Sequence, residues 1–208
     1  MAYSFNGTNQ YLRTASCPVS AVPLTIACNT RGNATGTLYP YMVVSDGANT
    51  SRVNVVANAD GTFGANQIDS AGGLATSAGG KYSANTWIHL CGVFTSASSR
   101  SLYVNGSLVS TNTNTVGSSN SYTRITIGAN HAETFFAAAQ IAEVGIWNVS
   151  LTQPEIASLA AGMTCDKVRP QSLVFYAPLV RDLQDARGGL TITNNNSATV
   201  ANHPRVYA

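Results

Sequence analysis

Ser101-Leu-Tyr-Val-Asn-Gly-Ser-Leu-Val109 is the stretch from which the fold can be read. Two runs of β-favouring side chains are separated only by Asn105-Gly106. A two-residue hairpin connection needs positive φ at both central positions, which Asn tolerates and Gly adopts freely. The spacing therefore predicts an antiparallel hairpin, with further antiparallel neighbours on either side.

The same grammar extends outward in both directions. Segments of four to eight residues rich in Val, Ile, Leu, Tyr and Thr alternate with turn-forming residues, which is the pattern of many short strands. Expected strands are 4–5, 11–13, 24–28, 39–44, 52–57, 73–77, 87–94, 101–104, 107–111, 124–128 and 139–147. Two more, 173–178 and 190–193, follow a helix expected near residues 152–161. Thr152 and Glu155 fit a capping box, Pro154 is tolerated in the first turn, and Gly162 suits a left-handed C-terminal cap. Ile156 and Leu159 supply one apolar face. The polar stretches 96–99 and 111–122 read as solvent-exposed connections. No period repeats along the chain, so neither a solenoid nor a propeller is indicated. The expectation is an all-β, two-sheet antiparallel sandwich.

Composition agrees and narrows the partners. The 208 residues suit one sandwich domain, and 44% apolar residues provide a two-layer core. Charged residues make up only 10%, so the surface must be built from Ser, Thr, Asn and Gly. The net charge of +2 is not clustered, which argues against nucleic acid and against anionic membrane as partners. No apolar run approaches the length of a transmembrane helix, and the first residues lack the pattern of a signal peptide. Cys28 and Cys91 fall inside strand-like runs; with Cys17 and Cys165 they are expected as free thiols rather than bridges. No Cys-x-x-Cys or Cys-x-x-His spacing suggests a metal site.

Three blocks, taken in order, carry a resemblance. They are Tyr3-Ser-Phe-Asn-Gly-Thr-Asn-Gln-Tyr-Leu12; Asn85-Thr-Trp-Ile-His-Leu-Cys-Gly-Val-Phe94 running into the hairpin; and Ile125-Thr-Ile-Gly128 followed by Gln140-Ile-Ala-Glu-Val-Gly-Ile-Trp-Asn148 and the helix. Together they resemble the laminin-G-like jelly rolls of the concanavalin A-like lectin/glucanase superfamily. The resemblance implies a jelly-roll domain over 1–162, with 163–208 as a C-terminal extension that adds strands or forms a docking arm. It also raises calcium, which some relatives bind near the amino-terminal turn. Here only Asn6 is a candidate ligand, because Ala142 stands where those relatives carry aspartate and has no oxygen to offer. Asn29 stands where relatives often carry Trp, which would remove one large core side chain.

Catalysis finds no support in the acids. A retaining glycosidase needs two carboxylates about 5–5.5 Å apart. None of the nine acids forms an i, i+2 or i, i+4 pair on a strand, and no Gly-x-Ser-x-Gly elbow is present. His89, beside Trp87, reads as a histidine on a sheet face. The candidate ligand-binding residues are Phe135 and Phe136 with His131 and Glu133, an aromatic pair following a polar loop. The resulting expectation is a non-catalytic module without cofactor. Domains resembling this one occur in tailed-phage structural proteins, made in the host cytoplasm without a signal peptide. That implies a virion protein, a capsid decoration or a tail or fibre accessory, bound to other virion proteins, to copies of itself or to a cell-surface glycan. A soluble carbohydrate-binding lectin is the alternative, and a divergent glycoside hydrolase the more distant one.

Overall fold

The computed structural model describes residues 1–207 apart from 35, 49, 70–72, 118–120 and 181. Fifteen strands are named in chain order: β1 (Ala2–Asn6), β2 (Tyr11–Thr14), β3 (Leu24–Gly32), β4 (Tyr39–Ser45), β5 (Arg52–Ala57), β6 (Phe63–Ile68), β7 (Leu74–Gly79), β8 (Ile88–Ser96), β9 (Ser99–Val104), β10 (Ser107–Asn112), β11 (Arg124–Ile127), β12 (Ala138–Trp147), β13 (Leu173–Ala177), β14 (Ile192–Asn195) and β15 (Thr199–Ala201). The helix, α1, spans Gln153–Ala160.

The strands form two antiparallel sheets. Sheet A runs β10-β9-β8-β3-β12-β1-β15, with β13 also on β12, and sheet B runs β14-β2-β11-β4-β5-β6-β7. The predicted hairpin is β9–β10, with Val104 opposite Ser107 and positive φ at Asn105 (49°) and Gly106 (80°). Between the sheets lie Phe5, Leu12, Leu24, Ile26, Met42, Val53, Phe63, Leu90, Phe94, Ile125, Ile141 and Phe175, all buried. Such close-packed apolar burial is the main stabilising term of a sandwich.

The extension beyond residue 162 contributes to both sheets. β13 and β15 join sheet A through β12 and β1, while β14 joins sheet B through β2. One edge of β12 is thus shared: β1 pairs with Ala138–Ile141 and β13 with 144–147. At the junction the ladder to β3 slips between Ala142 and Gly145, and Glu143 adopts φ +51°.

Two strands were not predicted. β6 reads Phe-Gly-Ala-Asn-Gln-Ile, with few β-branched residues, and is held by full ladders to β5 and β7. β15 is only three residues long and clips onto β1. The stretch 111–122 departs from the expectation of a purely solvated connection, residues 118–120 lying outside the described part. Val116 and Tyr122 are buried, and the Asn114 carbonyl accepts from the fully buried Arg100. That guanidinium also donates to Gln67 Oε1, Asn112 Oδ1 and the Ala97 carbonyl, so neutral acceptors satisfy it.

Helix α1 forms as its caps dictate. Glu155 Oε2 accepts from both the backbone N–H and the hydroxyl of Thr152, each at 2.7 Å, and Gly162 has φ +103°. Ile156 and Leu159 pack on the outer face of sheet A in a second apolar layer with Cys91, Val93, Trp147, Cys165 and Leu173. All four cysteines are free; burial pushes Cys17 up to about 11 and Cys28 up to about 12, and raises Cys91 and Cys165 as well. Such thiols are poor nucleophiles. Asn29 corrects an expectation: it pairs with His89 and Ala142 and faces out of sheet A, so the side chain lost there comes from an outer cavity and not from the core between the sheets.

Candidate functional site

On the outer face of sheet B lies an excursion, residues 129–137 between β11 and β12, which stands over β5 and β6. Asn130 organises this loop. Its Oδ1 accepts from the backbone N–H groups of Thr134 (2.8 Å) and Phe135 (3.2 Å), and its Nδ2 donates to Thr134 Oγ1. Asn130 N–H also bonds the Phe135 carbonyl, and a bridge between Ala129 and Phe136 closes the base. Asn supplies such side-chain-to-backbone bonds at turns cheaply.

Glu133 ties the loop to the sheet. Its carboxylate accepts from Tyr11 Oη and Arg13 Nη1, both at 2.7 Å, and lies 3.7 Å from Arg124 Nη1. Partial burial raises the Glu133 pKa, but the bonds from Tyr11 and Arg13 and the charges of Arg13 and Arg124 outweigh it and hold the carboxyl below its ordinary value. Arg124 Nη2 in turn donates to the carbonyls of His131 and Gly47. Phe136 is half-buried with its ring 6.1 Å from that of Tyr11.

Beside this anchor the structure leaves a groove of about 260 Å³. Its floor is Asn54 and Val56 of β5 and Asn66 of β6, its wall Asn130, His131 and Phe135, and its rim Leu38, Pro40 and Arg52. Asn54 and Asn66 are register partners, so their amides stand side by side. Asn54 is only 7% exposed, and the Oδ1 atoms of both residues are buried without a hydrogen-bond partner. Leaving a buried acceptor unpaired costs about 1–3 kcal/mol. Phe135 is 57% exposed above them. Desolvation, then the charge of Arg52, lowers the His131 pKa, so the imidazole is neutral at pH 7. Arg52 Nη1 lies 3.4 Å from His131 Nε2, and because a guanidinium only donates, Nε2 is the acceptor and Nδ1 carries the proton.

Of the four residues expected to bind a ligand, His131 and Phe135 therefore line one groove, while Glu133 and Phe136 hold the loop from behind. Asn54 and Asn66 were not among the residues expected to bind. A signal was available only for Asn54, an amide in the middle of the expected strand 52–57, where Asn is disfavoured. Asn6 does not fit calcium. Its Oδ1 already accepts from the N–H groups of Thr8, Asn9 and Gln10, at 2.9, 3.2 and 3.3 Å. No carboxylate lies in that turn to complete six to eight oxygens. Among the described residues, no three or more His, Cys, Asp or Glu side chains are grouped to hold a metal. Nor is any helix of the described residues long and apolar enough to cross a membrane. A larger hollow of about 570 Å³ between Met163, Lys167 and Tyr207 is shallow and has no buried polar group among its lining residues.

Fold and groove together define a lectin-like sandwich. The chain belongs to the concanavalin A-like lectin/glucanases superfamily, whose laminin-G-type profile matches residues 6–157. No curated protein sequence matches it. Among solved structures it is similar to a native heptameric SAP-like pentraxin from Limulus polyphemus, with 17% identity, a TM-score of 0.66 and coverage of 95% of this chain and 93% of that one. A Bacteroides ovatus protein described as a candidate carbohydrate binder gives 14% identity and a TM-score of 0.64, over 97% of this chain and 62% of that chain. Domains LG4–5 of the mouse laminin α1 chain give 13% and 0.56, over 70% and 40%. At these identities the likeness is one of fold.

Proposed function

We propose that this domain is a non-catalytic carbohydrate-binding module whose site is the groove under the 129–137 loop. The observation that carries the reading is the pair of buried, unpartnered amide oxygens of Asn54 and Asn66 beneath the exposed Phe135 ring. Sugar recognition needs that combination: an aromatic face for the C–H side of a pyranose, and fixed acceptors and donors for its hydroxyls. The His131 Nδ1–H adds a donor in the same wall. The description of the Bacteroides ovatus relative agrees with this reading.

The acids support binding without hydrolysis. Glu133 is consumed by Tyr11 and Arg13, and Glu143 by Tyr176 Oη at 2.7 Å and His203 Nε2 at 3.1 Å. Among the described residues, no carboxylate lines the groove. The finer role suggested by the phage resemblance, a decoration or fibre protein on a virion, belongs to the same proposal. An assembly presenting many copies would turn weak single-site affinity into avidity for a glycan-coated surface. A glycan array probed at high protein density tests the binding. Competable signal that falls in Phe135→Ala supports the proposal, and absence of signal across neutral and acidic glycans, or a signal that the variant leaves unchanged, overturns it.

A further inference from the structure

The opposite side of the molecule carries a second cavity, of about 200 Å³. Its floor is the outward row of sheet A formed by Asn29 of β3 and His89 of β8, which are register partners. Trp87, half-buried, stands at its mouth, and the next residue in the row is Asn105. One wall is the C-terminal end of α1, at Leu159, Ala160 and Gly162. The other is the tail at Pro204 and Arg205, held in place because Tyr207 N–H bonds the Gly162 carbonyl (2.6 Å) and Thr164 N–H bonds the Tyr207 carbonyl (3.2 Å).

His89 has no evident structural task for its ring. The backbone at 89 is fully engaged, donating to Asn105 Oδ1 and accepting from Asn105 N–H. Its side chain is only 6% exposed, yet Nδ1 has no hydrogen-bond partner. Burial pushes the imidazole pKa down to about 4, so the ring is neutral and offers one donor and one acceptor. Seven or so waters of about 30 Å³ each would fill the cavity, the space of one sugar ring. Among the described residues, no Asp, Glu or Lys lines it, and Arg205 on its rim lies over the Tyr207 ring at 5.2 Å.

The geometry points to a second carbohydrate subsite that seats one neutral terminal pyranose, with neighbouring hydroxyls bridging His89 and Asn29 and the apolar face of the ring on Trp87. This inference rests on sheet A alone and stands whether or not the groove on sheet B binds sugar. With both sites filled, one chain would engage two glycan ends from opposite faces.

Trp87 is the reporter, since the other tryptophan, Trp147, is fully buried away from solvent. The full chain is titrated with methyl glucoside, methyl galactoside, methyl mannoside and N-acetylglucosamine while tryptophan fluorescence is followed. A saturable change with at least one sugar, in the millimolar range of weak single-site binding, is expected. Asn29→Ala weakens it roughly fivefold, the effect of one neutral hydrogen bond. Asn29→Phe, which fills the half-exposed cavity, removes it without lowering the melting temperature. Phe135→Ala in the sheet B groove leaves it intact. The inference is overturned if no sugar gives saturation up to about 50 mM, if the change survives Asn29→Phe, or if sodium acetate or glucuronate reproduces it and the neutral sugars do not.

Discussion

The two outer faces of the sandwich are finished differently. Sheet A is roofed by α1 and the segment after it, which bury a second apolar layer around Trp147. Sheet B is crossed by a loop clamped through ion pairs and hydrogen bonds, with amide oxygens left unpaired beneath it. A hydrophobic roof is non-directional and stabilises by the area it removes from water. A polar clamp contributes less, because much of its gain offsets desolvation, but it fixes a loop in one geometry. Sheet A's face therefore contributes stability, whereas sheet B's presents a preorganised surface.

Trp147→Ala breaks the comparison most severely. The indole is fully buried, and its N–H donates to the Val168 carbonyl at 2.8 Å. A loss of about 4 kcal/mol in denaturant-induced unfolding is expected. A loss below about 1 kcal/mol would show that the roof contributes little. Acid exposes the same face by another route. The folded-state pKa of His89 is about 4 against an ordinary 6.5, so on acidification the unfolded chain takes up the proton first. Its stabilising contribution is complete above pH 6.5 and declines as the pH falls toward 4. The span corresponds to about 3 kcal/mol. Unfolding free energies measured across that window should fall more steeply for the wild type than for His89→Gln.

On sheet B the expected effects on stability are smaller and those on binding larger. Glu133→Ala removes the clamp at a cost of about 1 kcal/mol, since Arg13 and Arg124 are partly solvated. Hydrogen exchange should show faster exchange at the Thr134 and Phe135 amides, which bond Asn130 Oδ1, while β5 and β6 remain protected. Phe135→Ala should change stability by less than about 0.5 kcal/mol, as an exposed side chain does, yet clearly reduce glycan capture on the array. If it destabilises as much as Glu133→Ala, the ring belongs to the loop's packing and not to the site.

Much of this architecture was legible in local chemistry. Asn105-Gly106 dictated a hairpin, Thr152 and Glu155 a helix start, and alternating runs most of the strands, because each depends on neighbours within four residues. The sandwich and its family followed from the order of those blocks. β6 was not legible, since its strand state is imposed by the ladders on both sides. The loop's aromatic pair was identified as a unit, yet Phe135 and Phe136 are turned to different surroundings. One lines the groove and the other packs near Tyr11.

By itself, the sequence determined most of the strands, where their turns fall, and that no strand carries two acids at i, i+2 or i, i+4. Only the tertiary structure decided that Asn54 meets Asn66, that Asn29 meets His89, and that Glu133 is spent on arginines. The physical reason is register. Which residues stand side by side across a sheet is set by how the whole sandwich buries its apolar faces, and no local window of the chain contains that information.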